Sequence, residues 1–334
     1  MGVYLFKRLL LIIPTFLGIT LITFLIIQMA PGSPVSLKIQ QMGGEGIRTE
    51  TVSKAVIEQT KKLYGLDQPI HVQYLQWIKR LATFNFGDSY KDHRPVLTKI
   101  REALPVTLLL NFISIFLIYL ISIPLGIFSA LKSRTLLDQA VTVILFILYS
   151  LPSFWVAMIL IIYLGGGEYL NLFPVAGISS QGVGELTRWG QFGNVLWHLV
   201  LPIIVLTYGG FAFLARLSRA QLLEVIRQDY IRTARAKGLS ESAVILKHAL
   251  RNSLIPLITL SGTLLPAMIG GSVVVEQIFS IPGMGKLGFE AVLSRDYPTV
   301  MAIAAIEALL TLVGILVSDL MYVWVDPRIS FEGM

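Results

Sequence analysis

Six stretches with no charged residue, or with a single one, alternate with polar segments along this 334-residue chain. They cover residues 9–37, 103–131, 139–167, 189–215, 252–275 and 297–318, and only the last is interrupted, by Glu307. A helix needs roughly 20 apolar residues to cross the hydrocarbon core of a bilayer, so each stretch is long enough. The pattern predicts an all-α membrane protein with six transmembrane helices.

The composition supports this class and excludes others. Hydrophobic residues make up 54% of the chain, charged residues make up 14%, and a soluble domain of this length could not bury so much apolar surface. The absence of cysteine excludes a disulfide framework and a thiolate metal site. The four histidines lack a metalloprotease spacing, so nothing in the sequence favours a metalloenzyme.

Basic residues near the ends of the stretches predict an arrangement with both termini in the cytoplasm. Lys7 and Arg8 precede the first stretch, which is longer than a cleavable signal core, so we interpret it as a retained helix. The resulting layout is a first transmembrane helix at 9–30, an extracytoplasmic insertion at 31–103, a transmembrane domain at 104–325 and a tail at 326–334. The net charge of +7 reflects the basic inner side rather than binding to nucleic acid; it favours contact with membrane lipid.

The insertion is expected to be small and helical. Glycines at 43, 44 and 46 precede a predicted helix at 53–63, and a second helix is predicted at 69–82 with Val72, Leu75, Ile78 and Trp77 on its apolar side. A third amphipathic stretch, 96–104, is expected to lie on the outer membrane surface before Pro105. Two roles remain open for this insertion: it shapes the mouth of a pathway, or it is a spacer without a partner.

The polar loop at 218–251, between the fourth and fifth stretches, predicts two helices joined by a tight turn. Residues 219–236 are helix-forming, Gly238 suits a left-handed stop, and Ser240 is a suitable N-cap for a helix at 241–250. A packed helix pair of this kind can transmit force because it shifts as a body. The alternative is that its arginines contact anionic lipid headgroups.

The sequence of this loop resembles a known motif. DYIRTARAKGL, followed by HALRN, is similar to the EAA-type coupling loop of ABC importer permeases, although Arg232 stands where the general motif has glutamate. The resemblance implies that partner ATPases contact the residues of this motif, which are Asp229, Tyr230, Arg232, Thr233, Ala234, Arg235, Ala236, Lys237, Gly238, Leu239, His248, Arg251 and Asn252.

Further segments extend the resemblance over nearly the whole chain. RLLLIIPTFLGITLITF, APGSP, YGLDQPIHVQYLQW, FGDS, SLPSFW, FSIPGMGKLG, SRDYP and DPRI occur in the order found in the B-type subunit of dipeptide and oligopeptide importers. The segments MGVY at 1–4, LFP at 172–174 and ISFEG at 329–333 are similar to those of the subgroup that takes up peptides and microcin C. The resemblance implies the type I (MetI-like) permease fold and uptake of peptides into the cytoplasm, with a nickel chelate as the alternative cargo within the family.

Family resemblance also implies the partners. These are a homologous second permease subunit, two cytoplasmic ATPase subunits or one with two sites, and an extracytoplasmic solute-binding protein. ATP and Mg²⁺ would be bound by the ATPases, and no cofactor is expected in this chain. The nearest fragment to a P-loop, Gly283 to Lys286, has Ser280 in place of the first glycine and Leu287 in place of the hydroxyl residue. We interpret residues 282–288 as an outer turn within reach of the binding protein.

Glu307 is the candidate for a pathway residue, because a carboxylate inside an apolar span usually faces protein or water. It could attract a peptide ammonium group, or it could bond within the helix bundle. Gly262 and Pro266 make the fifth span irregular and a candidate for lining the pathway, although ordinary packing explains them equally. An ion-coupled carrier centred on Glu307 and a scaffold or channel without pumping remain as other functional classes.

Overall fold

The computed structural model describes residues 2–29, 67–166, 169–261 and 264–325, and these form a helical protein. The predicted helix at 53–63, Gly262 and the tail at 326–334 lie outside the described residues. The helices are α1 (Gly2–Met29), α2 (Ile70–Ala82), α3 (Val96–Leu131), α4 (Leu136–Ser150), α5 (Ser153–Leu160), α6 (Arg188–Ile226), α7 (Asp229–Ala236), α8 (Glu241–Ala243), α9 (Leu250–Ser253), α10 (Ile255–Ser261), α11 (Leu264–Gly270), α12 (Val273–Ile278), α13 (Met284–Leu293) and α14 (Tyr297–Val325). Single π-helical turns, Ile161–Gly165 and Val244–Ala249, follow α5 and α8.

Four of the described helices are long and apolar enough to cross a membrane alone: Phe6–Met29, Val96–Leu131, Arg188–Ile226 and Tyr297–Val317. A fifth candidate span consists of α4 and α5, which are bent by 94° at the break between them. Pro152 causes this break, because a proline disfavours helical geometry in the residue before it, and Leu151 is extended. The stretch at 252–275 is divided among shorter helices, so the number of spans visible here is four to five.

The main core lies between α3, α6 and the segment that contains α12. Leu110 of α3, Leu199 and Leu201 of α6, and Phe279 and Ile281 after α12 form one buried cluster. Nearer the other end of α3, a Cβ atom on Gly126 would lie 2.6 Å from the backbone oxygen of Ala215, so only glycine allows α3 and α6 to approach this closely. These contacts make α3 and α6 the central pair of the bundle.

Helix α1 packs antiparallel to α14, and α2 packs against both of them. Arg8 and Asp319 form a 2.8 Å ion pair that places the start of α1 beside the far end of α14. On α2, the buried Trp77 stacks on Phe24 of α1. Trp77 and Ile78 pack as predicted, but the prediction was wrong at Leu75, which is 63% exposed, and Tyr74 packs in this cluster although it was not predicted to.

The segment at 96–104 also differs from expectation. Helix α3 runs without interruption through Pro105, and Val96, Ile100 and Ala103 are buried against Met284 and Ala302. The expectation of a separate helix on the membrane surface was therefore wrong. The sequence correctly shows an apolar stripe on 96–104, but in the structure this stripe is covered by protein rather than by lipid.

Candidate coupling site

The polar loop folds into two helical arms joined at a tight turn. The prediction of one helix over 219–236 was wrong: residues up to Ile226 continue α6, the chain leaves helical geometry at Gln228, and α7 begins at Asp229. Gly238 then adopts φ +78°. The Ser240 hydroxyl accepts a 3.4 Å hydrogen bond from the backbone N–H of Ala243, which caps the second arm. The predicted left-handed stop and N-cap are both confirmed. We refer to residues 227–253 as the elbow.

One face of α7 is buried against the body of the protein. Ile231 is fully buried, and it packs with Leu222 of α6, Val244 of the π-helical turn and Ala130 at the end of α3. A helix of eight residues is too short to be stable alone in water, so this packing is what holds α7 in shape. The elbow is consequently seated on the ends of α3 and α6.

The opposite face of α7 is open. The side chains of Asp229 and Arg232 are 95% and 74% exposed, and the ion pair between them spans one helical turn at the surface. Lys237 and Leu239 in the turn are exposed as well. A short helix that is anchored on one side and basic on the other is suited to fit a groove in a partner protein.

Two polar contacts join the arms of the elbow. The Arg235 guanidinium donates to both carboxylate oxygens of Glu241, at 3.0 and 2.6 Å, across the Gly238 turn. This pairing lowers the pKa of Glu241 below its ordinary value and raises that of Arg235. The Asn252 amide donates a 2.7 Å hydrogen bond to the Tyr230 hydroxyl. The elbow therefore has an acidic residue beside its turn, although the motif's glutamate is replaced by Arg232.

The structure brings most of the predicted coupling residues into this one elbow. Thr233 donates to the carbonyl oxygen of Asp229 within α7, and Ala234 is buried beside Ile231. On the second arm, Arg251 is exposed and His248 is half-buried in the π-helical turn. Ala236 is exposed at the end of α7. Single π-helical turns of this kind frequently mark functional segments.

The candidate pathway residues are separated from the elbow. Glu307 is half-buried in α14, and one carboxylate oxygen would lie 3.4 Å from a Cβ atom on Gly270, so it faces the end of α11. Pro266 is part of α11, and Asn111 of α3 donates to the carbonyl oxygens of Ala267 and Met268 at 3.1 and 2.8 Å. The structure thus places Glu307 beside the irregular fifth stretch.

Asp138 is a buried carboxylate that the sequence did not single out. It is 3% exposed at the start of α4 and accepts hydrogen bonds from Arg219 of α6 at 2.8 and 2.7 Å. Ser129 of α3 and the backbone N–H of Arg134 also donate to it. The sequence signal that could have predicted this pair is a single acidic residue, Asp138, just before one apolar stretch and an arginine, Arg219, just after another.

A second buried carboxylate lies beside residues 282–288. Glu276 is 1% exposed and accepts from the hydroxyl of Thr107 at 3.0 Å and from the backbone N–H of Lys286 at 2.8 Å. Gly283, Met284 and Gly285 wrap around it and are buried. Pro282 is exposed and residues 286–288 are half-buried, so only the middle of this segment is enclosed, and its contact with a binding protein stays a prediction.

Within the described part of the chain, no group of three or more His, Cys, Asp or Glu side chains is arranged to hold a metal ion. The site consists of an exposed basic helix, α7, packed on the ends of α3 and α6.

Comparisons with known proteins identify the family. Residues 122–331 match the family described as binding-protein-dependent transport system inner membrane component, and residues 1–111 match its N-terminal companion family. The chain is 42% identical over 332 residues to the oligopeptide transport system permease protein AppB of Bacillus subtilis (strain 168), covering 99% of this chain and 100% of that protein. It is 38% identical to the inner membrane ABC transporter permease protein YejB of Escherichia coli O157:H7 over 363 residues, covering all of both chains.

Two further relatives agree. The dipeptide transport system permease protein DppB of Haemophilus influenzae is 38% identical over 338 residues, with 98% of each chain covered. A chain of the MetNI methionine ABC transporter, solved in an inward-facing conformation, has the same fold with a TM-score of 0.53 at 18% identity, covering 69% of this chain and 97% of that one. The chain therefore belongs to the family of binding-protein-dependent transport system inner membrane components, the multi-pass permease subunits of ABC importers in the bacterial inner membrane.

Proposed function

We propose that the chain forms half of the translocation pathway of an importer for di- and oligopeptides, and that ATPase partners drive it through the elbow. The observation that carries this proposal is the exposed basic face of α7 on a base made by α3 and α6. Relatives named as oligopeptide and dipeptide permeases support a peptide as the cargo. A nickel chelate is the alternative cargo within the family.

The proposed topology has six spans with both termini in the cytoplasm. It is supported by the Arg8–Asp319 pair, which joins the beginning of α1 to the far end of α14, so that both chain ends share one side. On this topology α4 with α5 is the third span and α10 with α11 is the fifth. The domain layout remains 9–30, 31–103, 104–325 and 326–334, with the coupling loop at 218–251.

The proposed partners are a homologous second permease subunit, two cytoplasmic ATPases or one with two sites, and an extracytoplasmic binding protein. ATP binding would close the ATPases, move both elbows and rotate the spans so that the pathway opens outward. The ATPases would bind ATP and Mg²⁺, because this sequence lacks the glycine and hydroxyl positions of a P-loop at residues 280–287. Within this chain, Asp229, Arg232, Arg235, Lys237 and Arg251 would contact the ATPases.

Reconstitution in proteoliposomes tests the proposal. The chain with its second permease, ATPases and binding protein should accumulate labelled peptides when ATP is enclosed on the cytoplasmic side. A protonophore or a sodium ionophore should leave that uptake unchanged. The Glu307→Gln variant should still require ATP for uptake. Accumulation by the chain alone from an ion gradient, abolished by Glu307→Gln, would instead establish the ion-coupled carrier. Parallel assays with a nickel chelate decide between the two cargoes.

A further inference from the structure

The buried carboxylate of Asp138 connects three helices at the end of the bundle that carries the elbow. Asp138 lies in the first turn of α4. Its carboxylate accepts two hydrogen bonds from Arg219 of α6 and one from Ser129 of α3. The backbone N–H of Arg134, in the turn between α3 and α4, donates to it at 3.0 Å. All of these donors converge on one side chain, so the three helices cannot separate here without leaving its charge unpaired in the interior.

A close backbone approach reinforces the same junction. A Cβ atom on Gly126 would lie 2.6 Å from Cβ of Ser218 and from the backbone oxygen of Ala215. Gly126 is one turn before Ser129 on α3, and Ser218 directly precedes Arg219 on α6. Helices α3 and α6 are thus in contact along this face and tied to α4 at its end.

The elbow rests on the same helix ends. Leu222, one turn after Arg219 on α6, and Ala130, directly after Ser129 on α3, both pack in the cluster that buries Ile231 of α7. Displacement of α7 therefore acts on Leu222 and Ala130, which lie one turn and one position away from the residues that donate hydrogen bonds to Asp138. Helices that are packed together in this way move as bodies.

We propose that Asp138 is a positioning residue for transport: it ties the inner ends of α3, α4 and α6 together so that force applied to α7 moves these helices as one unit. This inference rests on the proposed function and adds the route by which the elbow reaches the spans. Without the tie, α7 would move α6 while α4 lagged behind. A merely structural role would instead alter assembly and leave the link between hydrolysis and uptake unchanged.

The absence of cysteine in this chain allows a direct measurement. Cysteines introduced at Leu136, which is 82% exposed at the start of α4, and at the exposed Gln228 before α7 would carry spin labels. In the complex with cysteine-free partners, the label separation should be a single narrow distribution that is the same without nucleotide and with ATP bound. In Asp138→Asn the distribution should broaden or shift when ATP binds.

Transport is the second readout. Peptide uptake per ATP hydrolysed should fall at least about fivefold in Asp138→Asn, the low end of typical coupling between distant sites. Assembly and basal ATP hydrolysis should remain, because Arg219 is partly exposed and can be solvated. Lys132→Gln removes an exposed charge from the same turn and is the matched control, expected to behave as wild type.

Three results would overturn the inference: a wild-type label separation that changes with ATP, an Asp138→Asn separation that does not, or unchanged uptake per ATP in that variant. If Asp138→Asn does not assemble, Arg219→Lys replaces it, because it keeps the charge and loses the two-fold hydrogen bonding. Loss of ATP-driven uptake in the wild-type complex would contradict the proposed function, and comparison of the label separations without nucleotide and with ATP bound would still test the tie.

Discussion

The hydroxyl of Ser89 donates a 2.6 Å hydrogen bond to the carboxylate of Asp296, 207 positions further along the chain. Asp296 is fully buried and also accepts from the backbone N–H of Tyr90 at 2.8 Å and from the hydroxyl of Thr299 at 2.6 Å. It precedes α14, while Ser89 precedes α3. One carboxylate therefore attaches the polar segment before α3 to the beginning of the last helix.

Replacing Asp296 with asparagine should destabilise this end of the protein. The substitution replaces one acceptor oxygen with an NH₂ group that faces hydroxyl and N–H donors, and it leaves Lys99 with Asp92 as its remaining ion-pair partner. We expect a loss of about 2–4 kcal/mol. A lower apparent Tm of the purified complex would measure it. Glu102→Gln removes only an exposed pair with Arg94 and should change Tm little; equal Tm values for both variants would contradict the assignment.

Gly283 should not tolerate alanine. A Cβ atom at this position would lie 2.4 to 2.5 Å from the carboxylate atoms of Glu276, which is itself held by Thr107 and Lys286 and cannot move freely. We expect destabilisation of about 1–3 kcal/mol, measured as a lower apparent Tm and faster proteolysis. Gly184→Ala is the control, because nothing lies within 4 Å of its Cβ position. A variant at 283 that is as stable as this control would show that the turn can open.

Gly238→Val should separate ATP hydrolysis from transport. The residue has φ +78°, where a β-branched side chain is disfavoured by about 1–2 kcal/mol, and nothing lies within 4 Å to clash. The strain would distort the turn without affecting membrane insertion. Measured in proteoliposomes, hydrolysis should continue while uptake falls. Gly238→Asn, which tolerates this conformation, should retain uptake; normal transport by the valine variant would argue against the elbow as the coupling element.

Acidification should loosen the elbow through Glu241. Its pKa is lowered from the ordinary value of 4.5 by hydrogen bonds from Arg235. The contact therefore stabilises the elbow fully above pH 4.5 and is lost as the pH falls through the lowered pKa. Hydrogen exchange of residues 229–243 should show less protection at the acidic end, after correction for intrinsic rates. In Glu241→Gln protection should be lower at neutral pH and change little on acidification; an identical pH response in both proteins would exclude this pair as the cause.

Cysteines placed singly along residues 255–270 should reveal whether the fifth span lines the pathway. If Glu307, Pro266 and their neighbours border an aqueous route, labelling by a water-soluble thiol reagent should recur at helical intervals, with the strongest labelling near Gly270. The chain's lack of native cysteine removes background from this subunit. A matched set of buried positions in α6, including Leu199 and Leu201, should remain unlabelled. Uniform silence at 255–270 would remove these residues from the pathway.

Local patterns were sufficient to predict several features of this protein. The long apolar stretches indicate membrane helices because each one satisfies its own backbone hydrogen bonds. The turn of the elbow was predictable for a similar reason. Gly238 and Ser240 act on their immediate neighbours, and the structure has the left-handed residue and the cap where the sequence predicts them.

Contacts between distant segments decided the rest. The pairing of Asp138 with Arg219 joins residues 81 positions apart, and periodicity carries no information about which buried carboxylate meets which donor. The apolar stripe of 96–104 was visible in the sequence, but such a stripe can be buried by lipid or by protein. Only the tertiary structure shows that it packs against α13 and α14. The sequence by itself determined where helices and turns form; tertiary structure decided which faces meet, because burial and charge pairing depend on residues brought together only by folding.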